Sequence, residues 1–515
     1  MPAHYVQAAA GSAFTQSPWL SSLLLGGALI SLLVTYVVVM VSVLRLPDLA
    51  VPSRGWLYLL LGGVCIFGIT LLIQPLLFSD DVFTYMFSGR ILVIYGANPL
   101  NTAPFQFPHD SYLSWVISGR AAANIFGPFW LCICSLLAGV SNNPATSLFL
   151  FKSMALIAHI INCVLVWMLL GKLAPTRRLP GTLLYAWSPL SLIELVGSGH
   201  SESILLTLLL LATWLYVLSE YAAPRTSDNI QSRAMSSRLL SLLRRRWFLH
   251  GSALLVLGLA ISTNLIALLI APLYLWFAVR KEPDIGRALR GFCWRALLVV
   301  TPPLLIMLPF WRGADTFFAL TSAIDMAHFV HAPVGMLATP LRAIFELVAA
   351  RGVPTFLAPA TAADMAVRAS AAFIFVLIYA HLFSKVRHGA SQLGGMRNGP
   401  YDDRHRAHSD FDALLSSCSI AIFWYLILVS GWFWPWYVLW MLWIVVLRRI
   451  DTLTIAILLL SGTALFIYAF VGFSRAPLAT YQSAVIFGVP LLYLLIVRSK
   501  QSRAERNTNS DVRRG

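Results

Sequence analysis

Apolar positions run along this chain in long blocks, broken by short polar and basic stretches. A bilayer core takes about 20 apolar residues at 1.5 Å per residue. On that length the pattern predicts helices near 19–44 and 56–78, a polar and aromatic stretch to about 125, then helices near 147–171, 180–196 and 202–219. The block 250–279 fits one tilted helix or two short ones meeting at Ser262-Thr263-Asn264. Arg244, Arg245 and Arg246 precede it and Arg280, Lys281 and Arg287 follow it, so both ends read as cytoplasmic and an even number of crossings is favoured. Spans near 296–311, 365–384, 413–431, 436–447, 452–471 and 482–497 complete an expected total of about 13. The fold class expected is therefore all-α, a polytopic transmembrane helical protein forming one domain over 1–515.

Composition agrees with the pattern. The chain is 515 residues long, 58% hydrophobic and 11% charged, too little polar surface for a soluble protein of its size. A formal net charge of +16 alone would suggest nucleic acid, but the basic residues sit in loops and tails between apolar runs, where they set topology, so no nucleic-acid partner is expected. The six cysteines lie in or beside apolar segments without a C-x-x-C and read as small buried hydrophobes. The first 18 residues carry no Lys or Arg, whereas Arg45 and Arg54 flank the next loop and the tail 498–515 is rich in arginine. That places the N-terminus outside and the C-terminus inside a cell (inner or plasma) membrane, with no cleavable signal. Asp80 and Asp81, the turn from Gly197 to Glu202, the segment 312–362 and the turn from Trp434 to Tyr437 then share the outer side.

Candidate chemistry concentrates in SDDVFTYMFSGRILVIYGANPL, residues 79–100 of an outer loop spanning 79–125. An aspartate at the bilayer centre costs about 2.5 to 3.5 kcal/mol, so Asp80 and Asp81 mark a helix leaving the hydrocarbon. If a helix lying at the interface starts at Asp81, then Asp81, Tyr85, Ser88 and Leu92 form one stripe, and one reading of the acids is simply as its cap. Arg90 is about 13 Å further along the axis, too far for a local salt bridge with Asp81.

The order of residues resembles the GT-C class of integral-membrane glycosyltransferases, especially bacterial polyprenol-phosphate-mannose-dependent mannosyltransferases. The match runs through Asp81, Tyr85, Gly89, Arg90, Gly96, Asn98 and Pro99; through NIFGPFW around Gly127 and Pro128; and through AWSPLSLIELVGSGHSE with Trp187, Pro189, Glu194, Gly199, His200 and Glu202. GLAISTNLIALLIAP stands where that class often carries a lysine but has Thr263 and Asn264, and FWPWYVLW supplies Pro435, Trp436 and Tyr437. Ser201 and Glu202 replace an Asn and Asp common in the class.

The resemblance implies transfer of a hexose, with mannose the first choice, from a polyprenyl-phosphate donor to a hydroxyl of a glycan or glycolipid acceptor at the outer face of the bilayer. A polyprenyl phosphate leaves as an anion, so the chemistry needs a base for the acceptor more than an acid for the leaving group. Asp81 is the first choice for that base and Asp80 the second, and two adjacent carboxylates should raise one pKa. Tyr85, Arg90, Asn98, His200, Glu202, His331, Trp434, Trp436 and Tyr437 are the candidate substrate-binding residues. Arg90 would meet the donor phosphate or snorkel to lipid headgroups. His200 would hydrogen-bond phosphate or sugar, or cap a helix. Trp432, Trp434 and Trp436 would form an aromatic belt or stack on a sugar.

The remaining signals are weaker. Asp325, His328 and His331 recur every three residues and could bind a metal, but without a second ligand group a divalent metal is possible, not supported, and no cofactor is required. The stretches 222–249 and 385–412 read as polar, basic cytoplasmic loops. Neither a Walker motif nor a G-x-G-x-x-G fingerprint occurs, against a nucleotide-sugar donor or an ATP-driven pump. The alternative from another class is a lipid-linked-sugar flippase or secondary transporter, for which repeated halves and mid-membrane ionisable groups would be characteristic. A non-catalytic assembly partner is the third reading.

Overall fold

A computed structural model of the chain describes residues 18–46, 52–76, 78–117, 119–121, 126–221, 235–316, 329–351, 357–388, 402–470 and 476–512. The described residues are helical almost throughout, and the only strand-like pairing among them is an isolated parallel bridge between Val330 and Trp432. Eleven of their helices are long and apolar enough to cross a membrane, or twelve if the bent pair Pro175–Ala186 and Pro189–Gly197 makes one crossing. The expected count of about 13 is not matched. Pro435–Val445 and Leu265–Ala278 form shorter apolar helices, while Pro333–Ala350, inside the stretch read as an outer loop, is long enough to cross. Pro340, Arg342 and Glu346 hid that helix from a hydropathy reading. Arg342 is neutralised by Asp364, to which Nε and Nη2 donate at 2.7 and 2.6 Å. Helices Met235–Thr263, Pro359–His388 and Asp402–Leu428 also run into the stretches read as cytoplasmic loops.

The described residues fall into two compact units, one within Val38–Ile324 and the other within Ser12–Val37 and Asp325–Gly515. In the first unit the helices are α1 (Pro18–Leu44, its last turns), α2 (Arg54–Ile73), α3 (Asp81–Val93), α4 (Pro128–Ala138), α5 (Pro144–Leu173), α6 (Arg178–Ala186), α7 (Glu202–Tyr221), α8 (Met235–Thr263), α9 (Ala271–Ala278) and α10 (Ile285–Met307). Local chemistry sets their ends. Asn143 caps α5 by accepting the N–H groups of Ala145 and Thr146, with Pro144 in the first turn, and Asp284 caps α10 by accepting from Arg287. Bare glycines set the spacing: a Cβ on Gly258 of α8 would lie 2.3 Å from the Val299 carbonyl oxygen of α10, and one on Gly63 of α2 would meet the Trp187 ring at 2.5 Å.

One acidic side chain fixes the direction of these helices. Glu220, near the end of α7, lies 3.7 Å from Arg246, 3.5 Å from Arg280 and 3.5 Å from Lys281. The start of the apolar part of α8 and the end of α9 therefore meet at one level, so the chain between them travels away and returns. At the other end Gly127 packs on Ser262 and Thr263, and the Gly127 N–H donates to the Thr263 carbonyl at 3.3 Å. Thr263-Asn264 breaks the block, as Asn264 caps the following turn by accepting from Ile266. Both flanks of the block thus lie at one level, as the arginines suggested, although of the two helices only Arg245–Thr263 is long enough to cross and Leu265–Ala278 is shorter.

In the second unit α11 (Pro333–Ala350) and α12 (Pro359–His388) pack through a small core of Ala332, Val334, Ala338, Val367 and Ala371. They are followed by α13 (Asp402–Leu428), α14 (Leu439–Val445), α15 (Thr452–Thr463), α16 (Phe466–Phe470) and α17 (Ala476–Val512). Helix α17 carries the basic tail.

Candidate functional site

After α2 the chain turns through Ser79, whose Oγ accepts the Asp81 N–H at 3.3 Å, and enters α3. Asp80 occupies the cap position yet makes no side-chain cap hydrogen bond, so helix capping does not account for the acidic pair. Nor does α3 lie open at an interface: nine of its thirteen residues are buried, packed on α4 so closely that a Cβ on Gly89 would sit 2.3 Å from the Cys134 carbonyl oxygen. Tyr85, one turn after Asp81 on the same stripe, is buried between Phe126 and Trp130, both met edge-on with ring centroids at 4.8 and 5.1 Å. That packing aims the Tyr85 hydroxyl toward Ser201, its hydrogen-bond partner.

A second element closes on Asp81. Ser188-Pro189 bends the chain by 45° after α6, and Leu192–Gly197 follows as a widened, π-helical turn, a feature that frequently marks functional sites. Gly199, at φ +70°, then reverses direction into α7. The result gathers Glu194, His200, Ser201 and Glu202 beside Asp81. His200 Nε2 lies 3.3 Å from Glu194 Oε2 and His200 Nδ1 3.9 Å from Asp81 Oδ2. The Ser201 hydroxyl donates to Glu202 Oε2 at 3.3 Å. Within this group of side chains the Glu194 and His200 side chains are fully buried, Glu202 nearly so, and Asp81 alone is appreciably open, at 27%.

The electrostatics follow from that enclosure. Burial is the main influence on Asp81 and raises its pKa to about 6; the charge of His200 works against the rise, and Asp80, Glu202 and Glu194 add to it. The neighbouring acid thus contributes, as adjacency suggested, but less than desolvation. Burial opposes protonation of His200, yet the Glu194 carboxylate 3.3 Å away, with the charges of Asp81 and Glu202, outweighs it and holds its pKa above the ordinary histidine value. Tyr85 is held protonated, first by burial and then by the carboxylates beside it.

Other sequence candidates have partners elsewhere in the protein. Arg90 does not reach Asp81: its Nε and Nη2 lie 3.0 Å from Asp110 Oδ2, its Nη1 donates to Asn142 Oδ1 at 3.0 Å, and the guanidinium covers the Tyr112 ring at 3.9 Å. Asn98 donates to the Phe310 carbonyl at 2.6 Å and accepts from the Leu100 N–H at 3.0 Å, pinning the loop after α3 to the end of α10. Asp110 was missed, lying twenty residues from its partner with no local signal. Lys152 of α5 was missed too; its Nζ donates to the carbonyls of Leu71 and Gln74 at 2.6 and 2.8 Å, closing the end of α2 just before Asp80. Glu194 stood in a matched motif without a role, and only the π-helical turn turns it toward His200.

The aromatic candidates form their own group in the second unit. The Val330 N–H donates to Gly431 and the Phe433 N–H to Val330, each at 2.9 Å, which brings His331, at φ +52°, edge-on to Trp434 with ring centroids 5.1 Å apart. Trp434 stacks on Trp436 at 5.3 Å and 3°, and Tyr437 stacks on Trp440 at 4.1 Å. Asp325 and His328 lie outside the described residues. Among those described, no group of three or more His, Cys, Asp or Glu stands ready to hold a metal.

Comparison with curated proteins finds no match. Among solved structures, the chain is similar to the Archaeoglobus fulgidus oligosaccharyltransferase tethered with an acceptor peptide, at 14% identity and a TM-score of 0.39, covering 84% of this chain and 56% of that one. It is also similar to the oligosaccharyltransferase AglB from the same organism in complex with an inhibitory peptide and a dolichol-phosphate, at 14% identity and 0.36, covering 87% and 52%. The chain thus spans about half the length of these proteins. A family model described as alpha-(1->6)-mannopyranosyltransferase, N-terminal domain, matches residues 5–280, more than half of the chain and most of the unit that holds Asp81. This chain belongs to that MptA_B family of mannopyranosyltransferases, a family of glycosyltransferases.

Proposed function

We propose that this protein is a GT-C type enzyme that moves a hexose, mannose in the first instance, from a polyprenyl-phosphate donor to a hydroxyl of a glycan or lipid-linked acceptor at the outer face of the membrane, with Asp81 as general base. The observation that carries the reading is the opening of the Asp81 carboxylate at the edge of a buried cluster of Glu194, His200 and Glu202, beyond the end of an apolar crossing helix. The acceptor oxygen attacks the sugar carbon bound to phosphate while its proton passes to Asp81. The carbon–oxygen bond to phosphate breaks, and the phosphate leaves with the bonding electrons. A carboxylate with a pKa near 6 is ionised at neutral pH yet more basic than a surface aspartate, which suits that step.

The outer side is supported by charge. Arg54, Lys172, Arg177, Arg178, Arg246, Arg280, Lys281 and Arg287 lie at the ends of the first unit's helices remote from Asp81. Trp434, with His331 and Trp436 beside it, offers a ring face of the kind sugars stack on, and it is the second unit's candidate sugar contact. The test is purified protein in proteoliposomes given polyprenyl-phosphate mannose and a mannoside acceptor. Asp81→Asn should stay folded and lose transfer, and Asp80→Asn should retain a measurable part of it. Full transfer by Asp81→Asn would overturn the assignment.

A further inference from the structure

His200 stood among the sequence candidates as a substrate contact, but its ring is sealed from solvent and its two nitrogens face two carboxylates. We infer that Glu194 and His200 form a positioning pair behind Asp81: Glu194 orients the imidazole through Nε2, and the imidazole fixes the Asp81 carboxylate and sets how readily it takes a proton. This deepens the proposed function and rests on Asp81 being the base.

The backbone gives the pair its geometry. A π-helical turn ending at Gly197 carries Glu194, and the left-handed Gly199 swings His200 back over it, so two separate departures from regular helix are needed to make one 3.3 Å contact. Enclosing a glutamate and a histidine completely is costly when apolar residues would fill the same space. A role behind an open carboxylate accounts for that cost, whereas a sugar or phosphate contact would need an exposed ring. The groups facing the pair are otherwise acidic or neutral: Asp80 and Glu202 act on Asp81, the Tyr85 hydroxyl bonds Ser201, and Ser201 bonds Glu202. Lys152 approaches with its stem, lying beside Gly199, and its Nζ is given to the Leu71 and Gln74 carbonyls. The positive charge that reaches Asp81 is therefore His200's, and Glu194 is what sustains it.

The consequence is a direction in pH. Without the cation Asp81 holds its proton to higher pH, so the base becomes available later. In His200→Gln the acid limb of the transfer rate should move up by about one pH unit, with the rate below that limb reduced about tenfold and the rate well above it largely recovered. Glu194→Gln should move the limb in the same sense, because Glu194 is the smallest of the named influences on Asp81 but the principal holder of the charge on His200. The experiment is the pH–rate profile of wild type, H200Q, E194Q and D81N in the same proteoliposomes. If D81N is inactive and neither H200Q nor E194Q moves the limb, a loss equal at all pH values being the sign of a packing role, the positioning pair is wrong while the base stands. If D81N transfers normally, the proposed function itself fails. Should H200Q not fold, the E194Q profile alone decides.

Discussion

Arg90 brings both Nε and Nη2 to a single oxygen of Asp110, each at 3.0 Å, and both side chains are almost wholly buried. The guanidinium is further held by Asn142 and by the face of Tyr112, so its bonding capacity is directed into the protein. Leaving one member of such a buried pair alone typically costs ~3–5 kcal/mol. Arg90→Ala and Asp110→Ala are both expected to lower the unfolding temperature strongly, and the double change less than the sum of the two. Arg90→Lys, which loses the planar fork, should fall between. Thermal unfolding in detergent measures this; an Arg90→Lys protein of unchanged stability but raised KM for the donor would instead make Arg90 a phosphate ligand.

The base role proposed for Asp81 makes the rate of transfer depend on pH. A base works only when ionised, and the Asp81 pKa is raised to about 6, so activity is expected to be full above neutrality and to fall as pH drops through about 6. An unburied aspartate would keep working to about 4. Initial rates of the wild-type enzyme between pH 5 and 8 check the position of the limb, once stability over that range has been confirmed by fluorescence.

Two glycines inside the recognised motifs are there for close approach. A Cβ on Gly127 would lie 2.0 Å from the Ser262 carbonyl oxygen, and one on Gly89 2.3 Å from that of Cys134. Both obstacles are backbone, which cannot rotate away. Gly127→Ala and Gly89→Ala should each cost ~1–3 kcal/mol or more, whereas Gly62→Ala, with open space around it, should cost nothing. Unfolding temperatures of the three variants decide.

Those glycines show what was readable beforehand. Asp81, Tyr85, Gly89, Gly127, Gly199 and His200 stood out by type and order, and arginines flanking 250–279 announced the return of the chain to one level that Glu220 ties together. Hydropathy failed where span and loop overlap in composition: Pro340 and Arg342 disguised α11, while eleven residues at Pro435–Val445 were apolar enough to count and too short to cross. Pairings over long separations were not readable at all. Arg90 with Asp110, and Lys152 with Leu71 and Gln74, depend on how helices meet, and Glu194 reaches His200 only because one turn is wider than an α-helix.

Lys152 makes a prediction of its own. Its ammonium satisfies two carbonyls at the end of α2, the point from which the chain runs to Ser79 and Asp81. Lys152→Met keeps the stem beside Gly199 but leaves those carbonyls unmet, at ~1–3 kcal/mol each if they stay dry. Stability should drop, and transfer should drop further than stability alone explains, read as kcat at a temperature where the variant is fully folded.

The sidedness of the enzyme can be tested without substrate. Helix α7 runs from Glu202, beside Asp81, to Glu220, and its twenty residues span about 30 Å, a bilayer core. Ser114, in the loop after α3, and Pro283, after α9, are both exposed and belong to the two opposite ends of this unit. In a background with all six natural cysteines replaced, Ser114→Cys should react with a membrane-impermeant maleimide in intact cells, and Pro283→Cys only after permeabilisation. The concentration of Lys and Arg on the Pro283 side sets that direction through the preference of basic loops for the cytoplasm. The reverse labelling pattern would move Asp81, and with it the transfer reaction, to the inner face.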